Sequence, residues 1–161
     1  MNPVSAADGS VTVRRMCAAD IEEVMAIAAS LNDAPHWSPA AYLASIQPDS
    51  TPRRIALVAV NEPEAQILGF AVANVLPPQA ELESIAVRRD AQRQGIGSRL
   101  MDYLNRELKV ADVSELLLEV RASNLEGIAF YHSLGLRKTG LRPRYYTDPE
   151  EDAILMSQSQ G

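Results

Sequence analysis

The sequence predicts a mixed α/β (α+β) fold around a mixed β-sheet, and three observations lead there. Short apolar runs with strand character alternate, through the middle of the chain, with segments whose apolar residues recur at helical spacing. At 161 residues the chain is long enough to bury a core without disulfides or a structural metal. A composition of 47% hydrophobic and 22% charged residues is that of an ordinary globular protein, which excludes disordered and fibrous classes.

Taken in order, Val11 and Val13 alternate with polar neighbours as a short strand, and Ile21, Val24, Met25, Ala28 and Leu31 then share one helical face. Pro39 behind Ser38 suits the first position of a short helix ending at Ile46. The runs Ile55 to Val60 and Ile67 to Leu76 read as a hairpin turning at Asn61-Glu62-Pro63-Glu64. Pro77-Pro78 stops the second run, and Glu81 to Val87 makes the next strand. Gly95 opens a helix with Ile96, Leu100, Met101, Leu104 and Leu108 on one stripe. Ser114 to Val120 is short and almost wholly apolar, the pattern of a fully buried strand. Ser123, with Glu126 three residues on, is placed to cap a helix that Gly135 ends. Leu136 to Arg142 and Ala153 to Ser157 complete the set, flanking a loop from Tyr145. A single domain is expected over residues 11–158, with 1–10 and 159–161 as disordered ends and the tail from Ser157 already loose.

Fifteen Lys and Arg against 21 Asp and Glu leave a net charge of −6, which offers no broad footprint for a phosphate backbone, so nucleic acid is not an expected partner. No run approaches the ~20 apolar residues that cross a bilayer. The first ten residues have neither the basic nor the apolar part of a leader, so no membrane partner and a cytoplasmic address are expected. Cys17 has no second cysteine to pair with, and His36 and His132 stand too far apart for zinc spacing, so no metal is expected and all three are read as structural.

Two constellations carry chemistry. Gln92-Arg93-Gln94-Gly95-Ile96-Gly97 lies between a strand and a helix, where glycines let backbone N–H groups approach a ligand and the helix start favours an anion. The spacing fits neither Gly-x-Gly-x-x-Gly nor a phosphate loop ending in Gly-Lys-Ser/Thr. Alone, such glycines also serve a bare turn. Further on, Asn124 and Tyr131 are seven residues apart and share a helical stripe with Gly127, whose missing side chain leaves room for something to slide past. Glu119 ends an otherwise apolar strand and needs a cavity or a partner, though a paired surface charge fits as well.

From Leu82 to Leu104 the chain resembles the acetyl-CoA-binding core of the GNAT superfamily of N-acetyltransferases, whose pattern Gln/Arg-x-x-Gly-x-Gly/Ala is met from Gln92 to Gly97. Leu118 to Asn124, Tyr131 to Gly135, Arg142 with Tyr145-Tyr146, Glu151 to Ile154 and the Trp37-Ser38 pair are similar, more narrowly, to the RimI group, which acetylates the N-terminal alanine of a ribosomal protein. The resemblance implies a twisted sheet of six or seven strands flanked by four helices and splayed between the fourth and fifth strands. Acetyl-CoA and acceptor would enter that gap from opposite sides. It places pantetheine along Ile85, Ala86 and Val87, the pyrophosphate on Gln92, Arg93, Gln94, Gly95, Ile96, Gly97 and Ser98, and a further cofactor contact at Asn124. It makes Glu119 the general base and Tyr131 the general acid, with Glu81 as the alternative base. Strand alternation sets Glu81 and Glu83 on one face with Ile85 and Val87. Trp37, Tyr145 and Tyr146 would wall the acceptor pocket. The implied acceptor is a protein N-terminal α-amino group, the alternatives being a small-molecule amine or a silent acyl-CoA-binding module. Ser84, Leu136 and Pro143 depart from the RimI pattern, and the last borders the acceptor side.

Overall fold

Seven strands and four α-helices are found among the described residues, which are 10–31, 37–49 and 53–159 of a computed structural model. In chain order they are β1 (Val11–Arg15), α1 (Ile21–Ala29), α2 (Pro39–Ile46), β2 (Arg53–Asn61), β3 (Gln66–Leu76), β4 (Gln79–Val87), α3 (Ile96–Val110), β5 (Glu115–Arg121), α4 (Leu125–Ser133), β6 (Arg137–Tyr146) and β7 (Glu151–Ser159). The strands form one sheet in the order β1-β2-β3-β4-β5-β7-β6. Every pairing is antiparallel except that of β4 with β5, which is parallel.

Local chemistry explains most element ends. The Ser38 hydroxyl accepts from the Ala41 N–H at 3.2 Å and Pro39 follows it, so α2 starts where its capping residues stand. Two apolar layers then hold the sheet. On one face α3 buries Ile96, Leu100, Met101, Leu104 and Leu108 against Ile55, Leu57, Ala73, Leu82, Ile85 and Leu116. On the other, α1 and α2 bury Ile21, Val24, Ile27 and Tyr42 against Val58, Phe70 and Val72. Each fully buried aliphatic or aromatic side chain contributes about 1.5–3 kcal/mol.

The sheet opens in its middle. β4 pairs with β5 only from Gln79, Ala80 and Glu81 to Glu115, Leu116 and Leu117, after which the two strands part, while β5 stays paired with β7 along all seven of its residues. A bulge sits at the opening. Val72 lies opposite Ser84 and Ala73 opposite Leu82, so Glu83 has no partner on β3. The extra residue corrects the expected alternation. Ala80, Leu82, Ile85 and Val87 face α3, whereas Glu81 lies on the face of Asn74 and Ala86, opposite to Ile85 and Val87.

Four further expectations change. β5 is buried on one face only, with Leu116, Leu118 and Val120 inward and Leu117 and Glu119 half-buried, because no helix covers the side where the sheet has opened. The cap of α4 is Asn124 rather than Ser123, its Oδ1 accepting from the Gly127 N–H at 2.8 Å. β6 continues through Pro143 to Tyr146, at the cost of a register shift after Arg142 and a left-handed Arg144 (φ +53°), since proline supplies no N–H to the ladder. Ser159 pairs with Glu115 and the Ser10 hydroxyl bonds Asn61 at 2.8 Å, so both belong to the sheet and not to loose ends. His36 and the expected ends at 1–9 and 160–161 lie outside the described residues.

Candidate active site

A groove of about 500 Å³ occupies one side of the opening, floored by Ile85, Ala86 and Val87 and walled by the start of α3 and one face of α4. Gly95 holds a left-handed conformation (φ +79°) that only glycine adopts without strain, and from it α3 begins with N–H groups that have no intrahelical acceptor. The positive end of the helix dipole adds to them. A Cβ on Gly97 would stand 2.7 Å from the Phe130 ring, so a side chain there would close the groove between the helices. The Arg88 N–H donates to Leu68 O at 2.7 Å, and by alternation the N–H groups of Val87 and Ile85 point away from β3, into the gap. The Gln92 side chain donates to Val87 O at 3.1 Å and so ties the glycine loop to the strand floor.

Of the expected cofactor residues, Ile85, Ala86, Val87, Gln92, Arg93, Gly95, Ile96, Gly97, Ser98 and Asn124 line this groove. Gln94 is not in the lining, and its amide reaches Asp90 O at 3.5 Å. Gly127 does lie on the stripe of Asn124 and Tyr131, but the space it leaves is filled by the Asn124 side chain itself. Sequence reasoning missed Leu31, Arg89, Glu126, Phe130, Ser133 and Leu134, which also line the groove. Glu126, Phe130, Ser133 and Leu134 recur at helical spacing and were there to be found. Leu31 and Arg89 come from elements joined only by the fold, the Arg89 guanidinium donating to Ser30 O at 3.0 Å.

The opposite side of the opening is acidic and aromatic. Glu119 is half-buried; its Oε2 is buried with no hydrogen-bond partner, and Arg142 Nη1 stands 3.7 Å from it. Arg142 also lies over the Tyr145 ring at 5.0 Å. Tyr145 and Tyr146 meet edge to face at 5.0 Å. Hydrogen bonding to Glu119 and that carboxylate's charge push the Tyr145 phenol up, and burial with the Glu119 charge pushes Tyr146 up to about 12, so both stay neutral donors at ordinary pH. Partial desolvation, then the charges of Glu83 and Glu119, raise the Glu81 carboxyl from its ordinary value, although its side chain is exposed. Glu83 is neutralised by Arg54, which grips it at 2.7 and 3.3 Å. Trp37 stacks on Tyr42 at 5.3 Å beside the core of α1 and α2. Tyr131 lines the groove, its ring 5.7 Å from that of Phe130.

The arrangement offers an extended groove with unpaired helix-start N–H groups on one side and presents a carboxylate with phenols on the other. No group of three or more His, Cys, Asp or Glu is placed to hold a metal ion among the described residues. No helix there is long and apolar enough to cross a membrane.

The chain is similar to known proteins in sequence and in fold. The sequence model of the Acetyltransferase (GNAT) family matches residues 21–136. The [ribosomal protein bS18]-alanine N-acetyltransferase of Escherichia coli K12 is 46% identical over 94 residues, 57% of this chain and 64% of that protein, so the match spans just under two thirds of the relative's length. The crystal structure of the ribosomal-protein-S18-alanine N-acetyltransferase from Escherichia coli superposes with a TM-score of 0.78 at 33% identity, covering 94% of both chains. That of Ard1 from Thermoplasma volcanium does so with a TM-score of 0.78 at 29% identity, covering 93% of this chain and 97% of that one.

Proposed function

Since the chain belongs to the GNAT acetyltransferase family, we propose that it carries an acetyl group from acetyl-CoA to the N-terminal α-amino group of a protein, as the RimI group does. The single observation that carries this reading is the parting of β4 from β5 beyond Glu81 and Leu117, with Tyr131 lining one side of the gap and Glu119 standing on the other. The groove residues fit acetyl-CoA. The start of α3 suits the pyrophosphate, the free edge of β4 suits pantetheine, and Asn124 adds a contact through the amide end its cap bond leaves over. Bound there, acetyl-CoA supplies an activated thioester.

An amine attacks that carbonyl only as the free base, and an α-amino group with a pKa near ~8 is mostly protonated at neutral pH. Glu119 takes the proton, directly or through a water. As charge gathers on the carbonyl oxygen, the gap-facing N–H of Val87 donates to it. Nitrogen bonds the acyl carbon, the carbon–sulfur bond breaks as Tyr131 protonates the departing thiolate, and the second proton that the nitrogen sheds in becoming an amide restores the phenol, the proton on Glu119 passing to solvent. With unperturbed pKa values near ~8.5 for a thiol and ~10 for tyrosine, the transfer to the thiolate is uphill by about 1.5 units, which departure of the neutral thiol offsets.

The residues allow one rival. Glu81 holds its proton to higher pH than an ordinary glutamate, which suits a base, and faces the same gap.

Thiol release from acetyl-CoA, measured against peptides beginning Ala-Arg, Ser and Met and against free amines, tests the function. Turnover with the Ala-Arg peptide is expected. Turnover with small amines alone would assign the chemistry to another acceptor, and binding without turnover would make the chain a silent acyl-CoA module. Tyr131→Phe is expected to lower kcat ~10-fold or more with unchanged acetyl-CoA affinity, and equal turnover would remove Tyr131 from the mechanism.

A further inference from the structure

We propose that Arg121 is a positioning residue for the acceptor, its guanidinium latching the turn beyond Tyr146 to the junction that leads into the helix of Tyr131. The proposal rests on reading the Glu119 face as the acceptor side.

Arg121 is the last residue of β5, two beyond Glu119 and so on the same face. One Nη donates to Pro149 O and to Glu151 Oε1, both at 3.2 Å, and the other donates to Thr147 O at 3.2 Å. Its plane lies over the Tyr146 ring at 4.4 Å. The second oxygen of Glu151 accepts from the Ser123 N–H at 2.5 Å. Ser123 immediately precedes Asn124, the cap of α4, and α4 carries Tyr131. One side chain therefore gathers two turn carbonyls, a carboxylate bonded to the strand-to-helix junction, and the face of Tyr146.

The chemistry of that contact is specific to arginine. A planar fork with several fixed donors and a stacking face meets all four groups at once, whereas a lysine ammonium is a point charge with neither plane nor fork. The position also separates positioning from folding. Arg121 and Glu151 keep 32% and 17% of their side-chain surface in water, and ion pairs so placed add little to global stability. Tyr146, by contrast, meets Tyr145 edge to face at 5.0 Å, and Tyr145 lies under the Arg142 guanidinium that stands 3.7 Å from Glu119, where a shift of about 1 Å is felt strongly in the reaction.

The test uses the full chain with acetyl-CoA and a peptide beginning Ala-Arg. Arg121→Ala is expected to raise the peptide KM about ten-fold or more, leaving the acetyl-CoA dissociation constant within about two-fold by calorimetry. Arg121→Lys is expected to recover little of the loss. Amide hydrogen exchange over residues 145–150 should quicken in both variants. Arg144→Ala, which removes an exposed guanidinium from the same hairpin, should change none of these. An unchanged peptide KM in Arg121→Ala, full recovery by lysine, or unchanged exchange over 145–150 would each overturn the latch. If the wild-type chain acetylates no amine, the functional reading fails by itself, and the exchange measurement still decides whether the latch exists.

Discussion

At the scale of single residues, Glu119 and Glu81 present the sharpest choice, because both stand at the gap and the charge of Glu119 acts on Glu81. Glu119→Gln is expected to lower kcat/KM by ~10²-fold, while Glu81→Gln keeps most of the activity. Measuring kcat/KM across pH for both variants settles the base, and the reverse outcome would hand it to Glu81. The raised carboxyl of Glu81 has a second consequence, in stability. Folding disfavours its charged form, so its contribution is intact below the ordinary value near 4.5 and is lost as pH rises through the raised value. Glu81→Gln should therefore melt higher than the wild-type chain at pH 7, with the difference closing below about pH 4.5 in thermal scans. Glu119 was legible in the sequence as a charge on an apolar strand, and Glu81 only through the resemblance to the superfamily. Their relative orientation was not, because Glu83 bulges out of the β3 register and turns Glu81 to the other face, an effect fixed by pairing rather than by composition.

The elements teach a similar lesson. Ser38-Pro39 and Asn61 to Glu64 carry their own turn and cap chemistry, so α2 and the β2–β3 hairpin could be placed from local residues alone. Asn124 could not. It reads as a ligand contact, yet its Oδ1 is spent on the Gly127 N–H, which leaves only the amide nitrogen for a cofactor. Two variants separate the roles. Asn124→Ala should lower stability by about 1 kcal/mol and weaken acetyl-CoA binding together, since it removes cap and contact. Asn124→Asp keeps a capping oxygen, so its melting temperature should stay near that of the wild type while acetyl-CoA affinity falls, as calorimetry would register. Equal affinity in Asn124→Asp would reduce Asn124 to a cap. The extension of β6 through Pro143 was hidden for another reason: a proline stops a central strand, but β6 lies at the edge of the sheet, where a missing donor is tolerated.

Across the whole molecule, stability and reactivity occupy different parts of the sheet. α3 seals one face with Leu100, Leu104 and Leu108, all fully buried, while the gap lies further along, where β4 leaves β5. Leu104→Ala should thus cost about 2–5 kcal/mol and lower the melting temperature by several degrees, with the peptide KM and acetyl-CoA affinity of the remaining folded protein unchanged. A kinetic loss without a thermal one would contradict that division. The alternation of strands and helices predicted the class of fold, but strand order and the length of the β4–β5 contact depend on pairings between distant segments that no local pattern reports. One such pairing bears on how the protein comes into being. β7 follows both β5 and β6 in the chain yet lies between them, joined to β5 along seven residues and to β6 along most of its length. During translation the amino-terminal strands can dock early, whereas Tyr145 and Tyr146 gain their setting only after residues 151–159 have left the exit tunnel. Until that segment emerges, the edge of β5 that β7 covers stays open and the wall beside Glu119 is unfinished.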